Sequence, residues 1–205
     1  MTFIICVCGG SGSGKTYISR AIHDNLPYDS AVLSYDCYYK DQSALPPEER
    51  NKLNYDSPDM LDSELFLQHL KMLREGKIID VPQYEFASHT RSRVSKPFAP
   101  KKVIIVEGIM AMQLPRDIYD YVVYVDAESD VRLARRILRD TSLRGRTPES
   151  VINQYLTSVK PMHEKYVARG IDQADFVFNN SSNSGIDYAQ MDRLISEISN
   201  RIEGK

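Results

Sequence analysis

Apolar residues recur along this chain in two rhythms. Short unbroken runs predict strands: buried ones at Phe3 to Cys8, Val103 to Val106 and Tyr121 to Val125, and a short second one at Ala31-Val32-Leu33-Ser34, ending at Tyr35-Asp36. Between them the apolar positions return every three or four residues. Ile18, Ala21, Ile22 and Leu26 predict a helix over about 15–26, and Leu61, Leu65, Phe66, Leu70 and Leu73 an amphipathic helix that stops at Gly76. Further helices are predicted over 129–140, from about Pro148 to Tyr166 and over 187–202, with a last strand over Asp175–Phe178. Strands alternating with helices imply an α/β fold, a mostly parallel, doubly wound sheet covered on both faces. Two stretches break the rhythm. Residues 37–59 form a polar loop rich in tyrosine and proline, and residues 77–100 carry short β runs with prolines at their ends, which predicts a β-hairpin insertion.

Composition narrows the class without choosing within it. A chain of 205 residues, 42% hydrophobic and 26% charged, suits one globular domain over 1–205. Its formal charge of −2 argues against nucleic acid as a partner. No stretch approaches the ~20 apolar residues that span a bilayer. Cys6, Cys8 and Cys37 form no C-x-x-C pair, and Cys6 and Cys8 share a strand face, so buried reduced thiols are expected. A cytoplasmic enzyme is the expectation.

Chemistry enters at the end of the first strand. Gly9-Gly10-Ser11-Gly12-Ser13-Gly14-Lys15-Thr16 matches G-x-x-x-x-G-K-[ST], the phosphate-binding P-loop, between a strand and a helix. Glycines let backbone N–H groups approach an anion, and the helix N-terminus adds unsatisfied donors. Lys15 is expected to reach the β- and γ-phosphates and the Thr16 hydroxyl to ligate Mg²⁺. The chain is therefore expected to bind a nucleoside triphosphate. Asn51-Lys52 is followed by Leu53-Asn54, so the N-K-x-D guanine reader of GTPases is missing, and no D-x-x-G element occurs. Glycines ending in a lysine also argue against a Rossmann dehydrogenase. Phosphoryl transfer to a small acceptor remains, which needs a base, a metal shell and cationic cover.

Each of those parts has a candidate. Asp36 ends the second strand, where doubly wound sheets bind ligands, and can orient an acceptor hydroxyl, accept its proton and face Mg²⁺. Glu107 closes the Val103–Val106 strand, where a carboxylate is costly unless paired or facing a metal. Arg132, Arg135, Arg136, Arg139, Arg144 and Arg146 crowd one stretch, which suggests multidentate recognition of phosphate and a lid over about 139–150. Arg132 and Arg135 are read as a solvated helix face. Tyr84 and Phe86 share a strand face, with His89 and Arg91 at the hairpin tip, and can clamp a planar base. Plain hairpin packing is the alternative for these aromatics.

Taken together these motifs resemble the uridine kinase (uridine–cytidine kinase) family in its bacterial form. The resemblance runs from Gly9 to about Asp175. Beyond the P-loop it rests on Asp36-Cys37-Tyr38-Tyr39-Lys40-Asp41, Asn54-Tyr55-Asp56-Ser57-Pro58-Asp59, Tyr84-Glu85-Phe86-Ala87-Ser88-His89-Thr90-Arg91, Val106-Glu107-Gly108-Ile109, Arg135-Arg136-Ile137-Leu138-Arg139-Asp140, Arg144-Gly145-Arg146, and Gln154-Tyr155 before Val159-Lys160-Pro161. It implies transfer of the ATP γ-phosphate to the 5′-hydroxyl of uridine or cytidine. Asp36 would be the base, and Thr16 and Glu107, with Asp36, would serve Mg²⁺. Asp59 would hold the ribose hydroxyls. Tyr84, Phe86 and His89 would enclose the pyrimidine, Tyr39 would also be a substrate residue, Arg136, Arg146 and Gln154 would contact nucleoside, and Arg139 and Arg144 phosphate. A homotetramer with feedback inhibition by pyrimidine triphosphates is also implied. After the last strand the family's Pro-Arg-Gly is replaced by Asn179-Asn180-Ser181-Ser182-Asn183, so Asn183 is expected near the donor base with ATP and GTP both open as donors. A pantothenate- or ribulose-phosphate-type kinase and a non-catalytic nucleotide-binding module stand as alternatives. Only Arg91, Arg93 and Lys96 supply cations for a phosphorylated acceptor near the hairpin, and intact Lys15, Asp36 and Glu107 argue against the module.

Overall fold

A computed structural model describes residues 2–50, 52–182 and 185–204. The central sheet is five parallel strands in the order β2-β7-β1-β8-β9: β1 is Phe3–Cys8, β2 Ser30–Ser34, β7 Val103–Glu107, β8 Tyr121–Asp126 and β9 Phe176–Asn179. β1 pairs Val7 with Glu107, and β2 pairs Ser34 with the same Glu107, so the carboxyl ends of three strands finish level. Alternation along β1 divides the core. Ile4, Cys6 and Cys8 pack on one face, and Ile5 and Val7 on the other. The first face is covered by α3 (Ser63–Arg74), the second by α1 (Lys15–Asn25) and α7 (Tyr188–Glu203). Both strand thiols are buried and free. Among the described residues no helix is long and apolar enough to cross a membrane.

The irregular stretches build up above the carboxyl edge. β3 (Ile79–Val81) pairs with β6 (Lys96–Phe98), and β4 (Tyr84–Glu85) with β5 (Thr90–Arg91), all antiparallel, which makes an interrupted hairpin. The loop after β2 holds a 3-10 turn at Tyr35–Tyr38, a single turn of helix, α2 (Pro47–Arg50), and a second 3-10 turn at Pro58–Met60. α4 (Ser129–Leu143) runs beside the P-loop. The helix expected from Pro148 to Tyr166 is not uniform. α5 (Pro148–Gln154) widens into π-helical turns at Tyr155–Val159, resumes as α6 (Lys160–Met162), and widens again at His163–Val167. Pro161 has no N–H to donate, and its ring would clash with a carbonyl one regular turn back; a wider turn accommodates both.

Candidate active site

The donor side is shaped by backbone. Gly12 has φ 83°, and a Cβ there would collide with the Arg132 carbonyl. Gly14, at φ 94°, leads into α1 where Asn180 Nδ2 would meet any side chain. Asn180, itself buried, donates to the Ser13 carbonyl at 2.7 Å and ties the loop after β9 to the P-loop. Arg132 is only 6% exposed. It is not part of a solvated face: its Nε donates to the Ala127 carbonyl at 3.0 Å and its guanidinium packs against Gly10. A helical period cannot foresee this, because the neighbour is a loop more than a hundred residues earlier. Arg135 is also engaged, donating to the carbonyls of Asn180 (2.8 Å) and Ser182 (2.9 Å).

Lys15 is buried and donates from Nζ to the Gly10 carbonyl at 3.0 Å. Burial lowers its pKa, while Glu107 and Asp36 pull the other way. Glu107 receives two hydroxyls, Ser34 Oγ at 2.6 Å and Thr16 Oγ1 at 3.1 Å. Asp36 follows at the start of the 3-10 turn, with Oδ1 buried and without a hydrogen-bond partner. Burial and the nearby Glu107 charge push its pKa up to about 7, against the attraction of Lys15, Arg144 and Arg139. A carboxyl that titrates near neutrality beside a lysine is matched to proton acceptance.

These groups open on a cavity of about 460 Å³ whose far wall is aromatic. Tyr39, Tyr84 and Phe86 contact one another with ring centroids 5.1 to 6.2 Å apart. Tyr55 stacks on His89 at 4.0 Å and 9°. His89 has φ 54°, the one positive value among the described non-glycine residues. Such strain gathers at ligand sites. Burial, with Arg144, Arg146 and Arg50 nearby, lowers the His89 pKa, so its ring is neutral at pH 7. Its Nδ1 is buried without a partner; the buried hydroxyls of Tyr55 and Tyr84 face each other without a well-formed hydrogen bond. Buried polar atoms left open in one cavity point to a polar ligand. Arg91 turns the other way, donating to the carbonyls of Tyr39 and Tyr38, both at 3.1 Å, and pairing with Asp62 at 3.3 Å.

The roof is cationic. Arg136 donates to Ser11 Oγ and to Gln154 Oε1, both at 2.7 Å. Arg146 also donates to Gln154 Oε1, and to Ser150 Oγ at 2.9 Å. Arg144 lies 5.0 Å over the Phe86 ring, and Arg139 joins it in the lining. Of the residues expected at a site, the structure brings Ser11, Lys15, Thr16, Asp36, Tyr39, Tyr84, Phe86, His89, Glu107, Arg136, Arg139, Arg144, Arg146 and Gln154 to this cavity. Gly9, Gly10, Gly12, Ser13 and Gly14 complete the loop outside its lining, and Asn183 falls outside the described residues.

Asp59 does not reach the cavity. It is exposed, within a 3-10 turn opened by Pro58, and its carboxylate lies 3.4 Å from Ser57 Oγ. Asp56 lines the cavity in its place, buried, accepting Ser158 Oγ at 3.2 Å from the first π-helical turn. Burial raises its pKa, against Arg136 and the Ser158 hydrogen bond. A loop has no period to say which of two carboxylates turns inward. Tyr55, in the same motif, was equally unmarked; the only signal was an aromatic beside a carboxylate between prolines.

The sheet, its P-loop and the kinase-like cavity above it define a P-loop NTPase-fold phosphotransferase. Solved structures bear out the fold: phosphoribulokinase from Rhodobacter spheroides superposes with a TM-score of 0.66 at 14% identity, over 87% of this chain and 70% of that one. D-glycerate 3-kinase from Cryptococcus neoformans gives 0.63 at 19% identity, over 90% and 88%. The model of the phosphoribulokinase/uridine kinase family matches residues 4–187, and the chain belongs to that family. Among its relatives, the uridine kinase of Staphylococcus epidermidis is 51% identical over 179 residues, 86% of each chain. That of Macrococcus caseolyticus is 47% identical over 188 residues, 90% of this chain and 91% of the relative.

Proposed function

We propose that this protein is a uridine kinase, transferring the ATP γ-phosphate to the 5′-hydroxyl of uridine, with cytidine as a second acceptor, in pyrimidine salvage. The observation that carries this reading is the juxtaposition, in one cavity, of the P-loop lysine, a partnerless Asp36 carboxylate and an aromatic wall with open hydrogen-bonding atoms. Near-50% identity to relatives named uridine kinase supports the acceptor. Asp36 accepts the 5′-hydroxyl proton. Asp56, rather than Asp59, receives the ribose hydroxyls, a task suited to a carboxylate with open acceptor sites. Tyr39, Tyr84 and Phe86 flank the pyrimidine, and neutral His89 can donate to or accept from its edge. Arg139 and Arg144 cover the transferring phosphate, and Arg136, Arg146 and Gln154 border the nucleoside. The donor set suits Mg²⁺ held partly by water and phosphate, because Glu107, an oxygen ligand, stands between the Thr16 and Ser34 hydroxyls. When bound, Mg²⁺ would neutralise charge on the triphosphate beside Thr16, Glu107 and Asp36. A homotetramer belongs to the same proposal and is read by light scattering.

The test is a coupled ATP-consumption assay across acceptors. Uridine and cytidine are expected to be turned over. Turnover of pantothenate with none of either nucleoside would overturn the reading.

A further inference from the structure

The arginine roof is assembled around one carboxylate. Asp140 is 0% exposed and lies outside the cavity lining. Its Oδ1 accepts Arg139 Nε at 2.8 Å and stands 3.5 Å from Arg144 Nη1, while Oδ2 faces Arg136 Nε at 3.5 Å. Its backbone carbonyl accepts the N–H groups of Arg144 and Arg146, each at 3.2 Å. The side chain thus holds three guanidiniums and the main chain turns the lid. From this point the arginines diverge: Arg136 to Ser11 of the donor loop, Arg139 to the cavity, Arg144 to the Phe86 ring of the acceptor wall.

Three cations converging on one site repel one another unless an anion stands among them. A bound triphosphate supplies that charge during the reaction. Without one, Asp56 and Asp36 attract these arginines from across the cavity, but Asp140 is the sole acid between Arg132 and Arg146 in the chain and, among the described residues, the only carboxylate within ion-pair distance of all three. Arg136 Nε and Asp140 Oδ2 are both buried with no formed hydrogen bond, so the pair can tighten by a small shift. We propose that Asp140 is the positioning residue of the transfer site, pre-assembling Arg136, Arg139 and Arg144 so that one buried carboxylate sets donor loop, transferring phosphate and acceptor wall in register. The inference rests on the phosphotransfer reading above.

The experiment compares the full-length wild type with Asp140→Asn and Asp140→Glu, measuring UMP and ADP formed from uridine and ATP together with the thermal midpoint. Misplaced transfer groups commonly cost about 10²-fold, so Asp140→Asn is expected to lower kcat by roughly 10–100-fold. The KM for ATP should move by less than about threefold, since the P-loop still holds the phosphates. ADP formed in excess of UMP should rise, because a disordered roof admits water. Asp140→Glu keeps the charge and should fall between the two in kcat and in excess ADP. A purely structural role predicts a lowered midpoint with kcat per folded molecule and the ADP-to-UMP ratio unchanged, and that result overturns the inference. If the Asn variant does not fold, the Glu variant decides: wild-type kcat and ratio overturn the inference, while lowered kcat with excess ADP supports it. A wild type that forms no UMP overturns the uridine reading itself, and the inference falls with it.

Discussion

The donor and acceptor halves of the cavity are built on different terms. Around Lys15 and Glu107 the side chains that face the cavity are engaged, Lys15 by Gly10 and Thr16 and Ser34 by Glu107; the Ser13 carbonyl is held by Asn180, and the open atoms, Ser13 Oγ and Arg132 Nη1, lie behind the loop outside the lining. Around Tyr55, Tyr84 and His89 buried polar atoms are left open. The first half uses backbone and strand ends within one rigid sheet, the second three loops joined by side chains. Preorganised donors suit a ligand part common to all triphosphates. Open atoms suit the part of the substrate that must be told apart from its analogues, since rejecting an analogue depends on leaving such atoms unpaired. Asp36 stands at the seam.

The largest expected effect is at that seam. Asp36→Asn should retain nucleotide binding and lose turnover by ~10²–10⁴-fold, the usual cost of a general base. Near-wild-type kcat would reduce Asp36 to a turn residue. On the acceptor side, Asp56→Asn should lower kcat/KM for uridine by roughly 10–100-fold, the worth of hydrogen bonds to a charged group. Asp59→Asn, facing solvent, should stay within about twofold. Steady-state kinetics of the two side by side discriminate them, and a reversed order would restore Asp59. With Asp36 titrating at about 7, kcat/KM should fall ~tenfold per pH unit below that value and level off above it. A flat profile from pH 5.5 to 8 would deny Asp36 the proton.

Smaller effects sharpen the contrast between halves. Tyr55→Ala removes the ring stacked on His89, a contact worth about 0.5–1.5 kcal/mol, and should raise the uridine KM roughly 2–10-fold with the ATP KM unmoved. A matching rise in both would mean the halves are not separable. Asp36 also bears on stability. Its folded pKa of about 7 lies above the ordinary 3.8, so its contribution is full in acid and lost as pH rises from about 4 through 7. Asp36→Asn should therefore melt at a higher temperature than wild type at pH 8 and level with it at pH 4, read by thermal denaturation at the two pH values.

Much of the donor half was legible from residue order alone. Phe3 to Cys8, the glycine run, Lys15 and the helix after it are contiguous, and contiguous residues meet by local geometry. The end of β7 at Glu107 was legible too, because a buried β-branched run has a definite end, whereas β2 stops at Ser34 and Asp36 lies two residues on, in the 3-10 turn. The acceptor half was legible as a set of residue types, not as an arrangement. Arg132 read as a solvated position is buried against Gly10, and Asp59 read as a ribose ligand faces solvent while Asp56 turns inward. Nothing in loop 37–59 marks a face, so the choice between its carboxylates falls to the segment packed on it, here Ser158 on a helical turn widened before Pro161.

By itself, then, the order of residues determined the parallel sheet, the phosphate loop and the kinds of side chain at the transfer point, since periodicity and motif spacing act over a few residues. Only the tertiary structure decided which of those side chains share a cavity. It stacked Tyr55 on His89, separated in the chain by 34 residues. It also set Asp140 behind three arginines whose tips point to different walls. These contacts are settled by burial and charge between distant segments, and no local pattern carries that information.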